Sequence, residues 1–308
     1  MRVAIVNQVY KLMKKDKNIY FLAGDLGYTA VEQIEKDFPE RFINVGVAEQ
    51  NMLGIASGLA LSGKKVYVYS IISFLIMRSY EQIRNDICFH DLDVTLLGIG
   101  GGMSYGYLSS THFALEDIAI MRVLPNMSIF SPADEIEAVL GVKKLYKYRH
   151  PLYLRIGKRR EPLIYSKPYK FEFGKAVILR TGNDTAIFSS GPLTDELLKA
   201  DLILRNEFNI KATIINLHTL KPVDKEAILK YSLGKKIVFS VEEHSAIGGL
   251  GSSIAEILTQ IKNPPRLKII AIPDGFVKEL GSQSYLRKRL GLSADGLTKT
   301  ISTTLKSK

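Results

Sequence analysis

One acidic residue, Glu49, begins a predicted helix directly after an apolar segment that ends at Val47. A carboxylate beside apolar residues costs several kcal/mol to desolvate unless it is protonated or finds a partner. The helix that follows is rich in small residues, which would let a flat ligand or another backbone approach closely: Gly54, Ala56, Ser57, Gly58 and Ala60. The structural alternative is an acid that merely favours the positive end of the helix dipole.

Three further side chains could take part in chemistry. His112 follows Thr111 at the start of a helical pattern, although a lone histidine more often lies on the surface or in the core. Arg155 lies on the last predicted strand of the first half, and Lys158 follows it closely. An arginine there would suit bidentate binding of phosphate or carboxylate, and the alternative is a solvated charge at a strand end.

Several motifs, taken in order, resemble those of the transketolase family. The stretch Arg41–Met52 (RFINVGVAEQNM) is similar to the signature of that family's pyrimidine-binding domain. The other matching stretches lie further along the chain: 80–85 (YEQIRN), 111–119 (THFALEDIA), 124–127 (LPNM), 221–224 (KPVD) and 241–251 (VEEHSAIGGLG). Their order and spacing over nearly the whole chain carry the resemblance.

The resemblance implies thiamine diphosphate as cofactor. It gives Glu49 the role of a carboxylic acid bonded to N1′ of the pyrimidine ring, which lets the cofactor's own amino group remove its C2 proton. Phe74 is expected to stack on that ring, with core packing as the alternative, and Arg78 and Tyr80 are expected beside it. His112 is expected to handle a hydroxyl oxygen of the substrate.

The same comparison makes Arg155 a residue that binds the substrate phosphate, assisted by Lys158. Other positions depart from the family pattern. Gly100 stands where sugar transketolases carry a histidine, and Leu108 where they carry an aspartate. A site that loses groups built to bond hydroxyls loses much of its discrimination, so the ordinary pentose phosphate pair is not the expected substrate.

The chain lacks half of the family's cofactor site. Enzymes of this family hold diphosphate and Mg²⁺ with a Gly-Asp-Gly motif and a later asparagine, but here Gly24-Asp25 is followed by Leu26. We place no metal ligand in this chain. The resemblance therefore implies the C-terminal subunit of a split transketolase. Its partner would be an N-terminal subunit that holds Mg²⁺, in an α2β2-type assembly.

Two other functions stay open from the sequence. The chain is also similar to a subunit acting on a 2-oxo acid, as in deoxyxylulose-phosphate synthase or the β subunit of a 2-oxoacid dehydrogenase E1. A non-catalytic assembly subunit is the second alternative. Retention of Glu49 and His112 argues against it, because such a subunit has no chemical need for either.

Composition limits the class of protein. The chain has 308 residues, 46% hydrophobic and 24% charged, which is typical of a globular protein. Its single cysteine, Cys88, fits a reducing compartment, and we expect a cytoplasmic protein without a signal sequence or membrane span. The net charge of +11 is spread over scattered clusters that include Arg159 and Arg160. It indicates an anionic small-molecule substrate rather than nucleic acid.

Alternating strand and helix patterns predict an α/β fold of two domains, each a mostly parallel sheet with helices on both faces. We expect a pyrimidine-binding domain over residues 1–160, a linker over 161–174 and a C-terminal domain over 175–308. The predicted strands are 19–23, 41–47, 65–71, 93–99, 127–130, 151–156, 175–180, 184–190, 210–217, 236–242 and 267–272. The predicted helices are 48–62, 79–90, 112–122, 132–148, 192–207, 224–232 and 251–261.

Overall fold

The computed structural model describes residues 1–158 and 161–306, which form two sheets surrounded by helices. The strands are β1 (Ile19–Ala23), β2 (Phe42–Asn44), β3 (Lys65–Ile71), β4 (Val94–Ile99), β5 (Ser128–Phe130), β6 (Leu152–Ile156), β7 (Val177–Arg180), β8 (Thr185–Ser189), β9 (Ala212–Asn216), β10 (Thr219–Lys221), β11 (Ile237–Ser245) and β12 (Arg266–Ile272). The helices are α1 (Arg2–Met13), α2 (Glu32–Asp37), α3 (Glu49–Leu61), α4 (Tyr80–Gln82), α5 (Asp117–Arg122), α6 (Glu135–Leu145), α7 (Thr194–Phe208), α8 (Lys225–Ser232), α9 (Leu250–Leu258), α10 (Gln283–Arg289) and α11 (Ala294–Lys306).

The first sheet has the order β10-β5-β6-β4-β3-β1-β2, and the second has the order β12-β11-β8-β9-β7. All pairings are parallel except β10 with β5 and β7 with β9. Every residue of β3 and β4 is buried, as expected for central strands covered on both faces. The predicted fold class is confirmed.

Strand β10 ties the two halves together, because it follows β9 in the chain yet pairs with β5 of the first sheet. The connecting segment 161–174 is also anchored. Its Tyr165 and Tyr169 hydroxyls donate hydrogen bonds of 2.9 and 2.7 Å to the buried carboxylate of Glu137 on α6. The predicted domain limits stay a prediction, and residue 160 lies outside the described residues.

Two predicted helices are wrong in detail. The prediction over 79–90 is replaced by α4 and a π-helical segment, Ile83–Cys88, which follows another at Ser73–Met77. The prediction over 112–122 begins too early, since Ala114 pairs with Gly102 as a β-bridge before α5 starts. π-Helical turns are rare and occur often at functional sites. Within the described residues, no helix has the length and apolar character to cross a membrane.

Candidate active site

Glu49 is the first residue of α3, and its side chain is only 3% exposed. Its carboxylate accepts a hydrogen bond of 3.0 Å from the guanidinium of Arg78, which follows the π-helical segment Ser73–Met77. The group is therefore paired with a side chain from another element rather than serving only as a cap of its own helix.

An open cleft of about 410 Å³ lies beside this pair. Glu49 and Arg78 line it together with the loop and first turn of α3, Val47 to Asn51. The exposed face of α3 continues from the cleft through Gly54 and Gly58. A side chain added at either glycine would meet no atom of the described chain within 4 Å.

A row of contacting side chains leads away from Glu49. The Arg78 guanidinium lies 4.2 Å from the centre of the Phe74 ring, and that ring meets His112 edge-on with centroids 5.0 Å apart. His112 also packs against Tyr105, with ring centres 5.5 Å apart, and the Lys158 ammonium lies 4.2 Å from the Tyr105 ring centre. The structure thus connects four predicted residues to Glu49 through successive side-chain contacts: Arg78, Phe74, His112 and, through Tyr105, Lys158.

Two of these side chains are held neutral. Burial, and then the positive charge of Lys158, lower the pKa of His112, so its ring is uncharged at neutral pH. Burial raises the pKa of Tyr105, so its hydroxyl keeps its proton. A neutral imidazole can accept or donate a hydrogen bond, and a protonated phenol can donate one, so both suit an oxygen-bearing substrate.

Arg2 at the start of α1 was missed from the sequence. It lines a second cleft of about 400 Å³ together with Lys158, while Glu135 contributes to the same wall. The Arg2 guanidinium donates hydrogen bonds to the Tyr28 carbonyl at 3.2 Å and the Thr29 hydroxyl at 3.0 Å. A basic residue at a helix start carries no signal that would place it beside Lys158, because the fold alone brings the two together.

Arg155 lies among protein partners in this structure, and its predicted role in binding phosphate stays a prediction. It is 5% exposed, and its guanidinium donates to Asp117 at 2.7 Å and to the carbonyl oxygens of Ala114 and Glu243 at 2.9 and 3.1 Å. These contacts hold α5 and the second domain against β6, so we leave Arg155 out of the proposed substrate site.

Tyr80 also differs from its predicted place. Its hydroxyl donates a 2.8 Å hydrogen bond to the carbonyl of Ile120 on α5, and its ring packs against the core. Tyr80 therefore positions α5 rather than lining the cleft at Glu49.

Gly100 allows the loop that follows β4 to bring Tyr105 into the site. Its φ is +96°, and a Cβ placed on it would lie 2.1 Å from the Tyr105 ring. A histidine at this position is sterically incompatible with the present loop. Leu108, which ends the short 3₁₀ turn Gly106–Leu108, is 47% exposed.

The site residues fit one half of a thiamine diphosphate site. The nearly buried carboxylate of Glu49 borders an open cleft, and a half-buried aromatic ring lies beyond its arginine partner. Over residues 1–158 and 161–306, no group of three or more His, Cys, Asp or Glu side chains is arranged to hold a metal ion.

Comparison with known proteins agrees with this geometry. Residues 1–162 match the family description "Transketolase, pyrimidine binding domain", and residues 174–297 match "Transketolase, C-terminal domain". The chain belongs to the transketolase family, whose members are thiamine-diphosphate-dependent transferases. Within that family it is a C-terminal subunit of the split type.

The similar curated proteins include subunits of split enzymes. The chain is 36% identical over 301 residues to an apulose-4-phosphate transketolase subunit of Phocaeicola vulgatus, covering 97% of this chain and 95% of that one. It is 34% identical to the 6-deoxy-6-sulfo-D-fructose transketolase subunit SqwH of a Clostridium species, covering 96% and 91%. The chain is 30% identical to 1-deoxy-D-xylulose-5-phosphate synthase of Clostridium perfringens. That match covers 96% of this chain but only 47% of the synthase.

A solved structure described as a split gene transketolase, inactive beta4 tetramer, superposes with a TM-score of 0.87. It is 34% identical in sequence, and the match covers 98% of this chain and 96% of that chain. The transketolase of Pichia stipitis shares the fold, with a TM-score of 0.81 at 19% identity.

Proposed function

We propose that this chain supplies the pyrimidine half of a thiamine diphosphate site and, with an N-terminal partner subunit, transfers a two-carbon ketol unit between anionic sugar-type substrates. The observation that carries the proposal is the buried Glu49 carboxylate at an open cleft, connected through Arg78 to Phe74 and His112. The cofactor, when bound, supplies the carbanion stabilisation that this transfer needs.

The residues of this chain have separate tasks. Glu49 holds or releases a proton at N1′ of the pyrimidine, and Phe74 fixes the plane of that ring. Neutral His112 bonds a substrate hydroxyl. Arg2 and Lys158 attract the anionic end of the substrate.

The partner subunit would bind diphosphate and Mg²⁺. An exposed strip beside the cleft supports such docking: Val47 is 71% exposed, Leu61 is 65% exposed, and Gly54 and Gly58 lie between them. Apolar and small residues on a surface let another backbone pack closely. We propose an α2β2-type assembly. We also propose a cytoplasmic location, because the one cysteine, Cys88, is free and buried.

The test combines the purified chain with a candidate N-terminal subunit, a chain that carries the Gly-Asp-Gly motif and the later asparagine. The mixture should transfer a two-carbon unit from a ketose phosphate to an aldose phosphate, and each subunit alone should be inactive. Calorimetry should show weak binding of thiamine diphosphate and Mg²⁺ to the isolated chain. Micromolar or tighter binding to that chain alone would contradict the split site, and release of CO₂ from pyruvate would favour a synthase-like reaction instead.

A further inference from the structure

Glu243 in strand β11 reaches from the second domain into the loop that follows β4. One carboxylate oxygen accepts hydrogen bonds from the backbone N–H of Met103 at 2.8 Å and from the amide of Gln283 at 2.9 Å. The other oxygen forms an ion pair with Arg287, whose Nε lies 2.8 Å away. Glu243 is 5% exposed, so these bonds are shielded from water.

The loop is shaped to receive this carboxylate. Gly102 has a φ of +66°, and a Cβ built on it would lie 2.6 Å from the carboxyl carbon of Glu243. The same loop meets the second domain again at Gly106, where an added Cβ would lie 2.6 Å from the Gly281 carbonyl oxygen. Only a residue without a side chain permits both approaches. The second domain thus holds the loop at two points.

Tyr105 lies between those two points. Its ring packs against His112 and under the ammonium of Lys158, so a shift of the loop moves a wall of the substrate side of the site. The loop also occupies the positions where this chain departs from the sugar-reading residues of its family, Gly100 and Leu108.

We propose that Glu243, oriented by Arg287 and Gln283, is a positioning residue that sets the place of Tyr105 and thereby the choice of donor substrate. The proposal deepens the proposed function and rests on it for its kinetic consequence. It assigns the C-terminal domain a part in specificity: β11 and α10 fix the conformation of a loop that belongs to the first domain.

A glutamine at position 243 has the right size but cannot serve all the donors. If its oxygen accepts from Met103, its NH₂ group faces the guanidinium of Arg287, and donor meets donor. We call the contacts of Glu243 with Met103, Gln283 and Arg287 the clamp. In the glutamine variant the clamp weakens without leaving a cavity. Glu243→Gln is the informative variant, and Glu279→Gln is its matched control, because Glu279 pairs with Arg289 in the same domain on the exposed surface.

The first measurement uses the chain by itself. Hydrogen–deuterium exchange of a peptide spanning residues 100–108 should quicken by roughly tenfold in Glu243→Gln, since a buried amide loses its charged acceptor. Exchange in β3 and β8 should not change, and Glu279→Gln should match the wild type throughout. Equal exchange of the loop in Glu243→Gln and wild type would overturn the proposal.

The second measurement uses the reconstituted enzyme. Glu243→Gln should lower kcat/KM for the preferred donor by roughly tenfold or more, because small misplacements of substrate-positioning groups are costly. It should reduce the preference over a second ketose phosphate, while exchange of the cofactor's C2 proton keeps its wild-type rate. A parallel loss of all three readouts would mean a merely structural role and would reject the proposal.

Gly102→Ala tests the same contact from the other side if the glutamine variant folds poorly. Its methyl group would displace the carboxylate while the charge of Glu243 is kept, and the same loop should exchange faster. If the wild-type pair shows no transfer activity, the proposed function fails, yet the exchange data still decide whether the clamp exists.

Discussion

The guanidinium of Arg78 lies 3.0 Å from the carboxylate of Glu49, although Arg78 is 49% exposed and Glu49 only 3%. The pair joins a solvated cation to a shielded anion at the wall of a cleft. A ligand that hydrogen-bonds Glu49 must share the carboxylate with Arg78 or displace it. Since the arginine is half in water, its displacement costs less than that of a buried partner.

Replacing Glu49 by Gln should leave the fold and assembly intact and remove most turnover. A glutamine can still hydrogen-bond a ring nitrogen but cannot exchange a proton with it, and loss of general acid–base groups typically lowers rates about 10²–10⁴-fold. Exchange of the C2 proton of bound thiamine diphosphate, followed by NMR in the reconstituted enzyme, should slow by a similar factor.

The matched control is Glu81→Gln, which changes an exposed carboxylate on α4, three residues after Arg78 in the chain. In this variant the exchange rate of the C2 proton and the turnover rate should equal those of the wild type. An unchanged C2 exchange rate in Glu49→Gln would remove Glu49 from the proposed proton transfer.

The charge of Lys158 should be visible in the titration of His112. Burial is the larger cause of the lowered pKa of His112 and the Lys158 charge is the next, so Lys158→Met should raise that pKa while leaving it below its ordinary value. The ring would then gain its proton at a higher pH, and the acid limb of the kcat/KM profile should move upward. NMR titration of the imidazole protons checks this directly, with Lys175→Met as the surface control. A fall in the pKa would contradict the assigned geometry.

His218 should make the protein less stable in mild acid. Burial lowers its pKa to about 4, and it stacks on Phe171 with ring centres 4.6 Å apart. Below the ordinary histidine pKa of about 6.5, His218 binds a proton in the unfolded chain but not in the folded chain. The unfolding free energy is therefore fully retained above that pH and falls as pH decreases toward 4.

For this one group, moving from pH 7 to pH 5 should cost about 2 kcal/mol of unfolding free energy. In His218→Phe the loss between the two pH values should be smaller by that amount. Urea unfolding of both proteins at both pH values measures the difference. An identical pH dependence would show that His218 titrates normally in the folded state.

Sequence reasoning located the elements well where long apolar runs alternate with helical patterns, as at β3 and β4. It missed four helices, α1, α2, α10 and α11, and the short strand β10. The three residues of β10 are too few to show an alternation of apolar and polar side chains. Their pairing with β5 depends on how the second half of the chain packs against the first. The π-helical turns replaced a predicted helix because hydrophobic spacing does not distinguish one helical hydrogen-bond pattern from another.

The site was partly readable for a similar reason. Glu49, Phe74 and His112 lie in motifs that indicate their chemistry. The buried pairing of Arg155 was not readable, because a strand-end arginine looks the same in sequence whether it faces a ligand or pairs with Asp117. Long-range contacts of single side chains are set by the tertiary fold.

Gly100 should tolerate no side chain. An alanine at this position would be strained at a φ of +96°, and its methyl group would clash with the Tyr105 ring. Gly100→Ala should therefore move Tyr105 away from His112 and lower kcat/KM, whereas Gly63→Ala, also at positive φ but with open space around it, should affect stability only. A crystal structure of the variant, or its kinetics with the preferred donor, checks the outcome. Wild-type kinetics would mean that the position of Tyr105 does not matter to the reaction.

The cleft shared by Arg2 and Lys158 should govern affinity for the charged end of the substrate. Arg2→Met and Lys158→Met should each raise KM for a phosphorylated donor by roughly tenfold or more, because hydrogen bonds to charged groups contribute more than neutral ones. The same variants should scarcely change kcat/KM for an unphosphorylated analogue, which offers no anion to bind. Added salt should raise the KM of the wild type for the phosphorylated donor toward that of the variants, since exposed charges are screened. Lys175→Met, which removes an exposed lysine paired with Glu226, should leave both substrates unaffected. If the phosphorylated and unphosphorylated donors lose efficiency equally, the two cations support the loop around Tyr105 rather than recognise an anion.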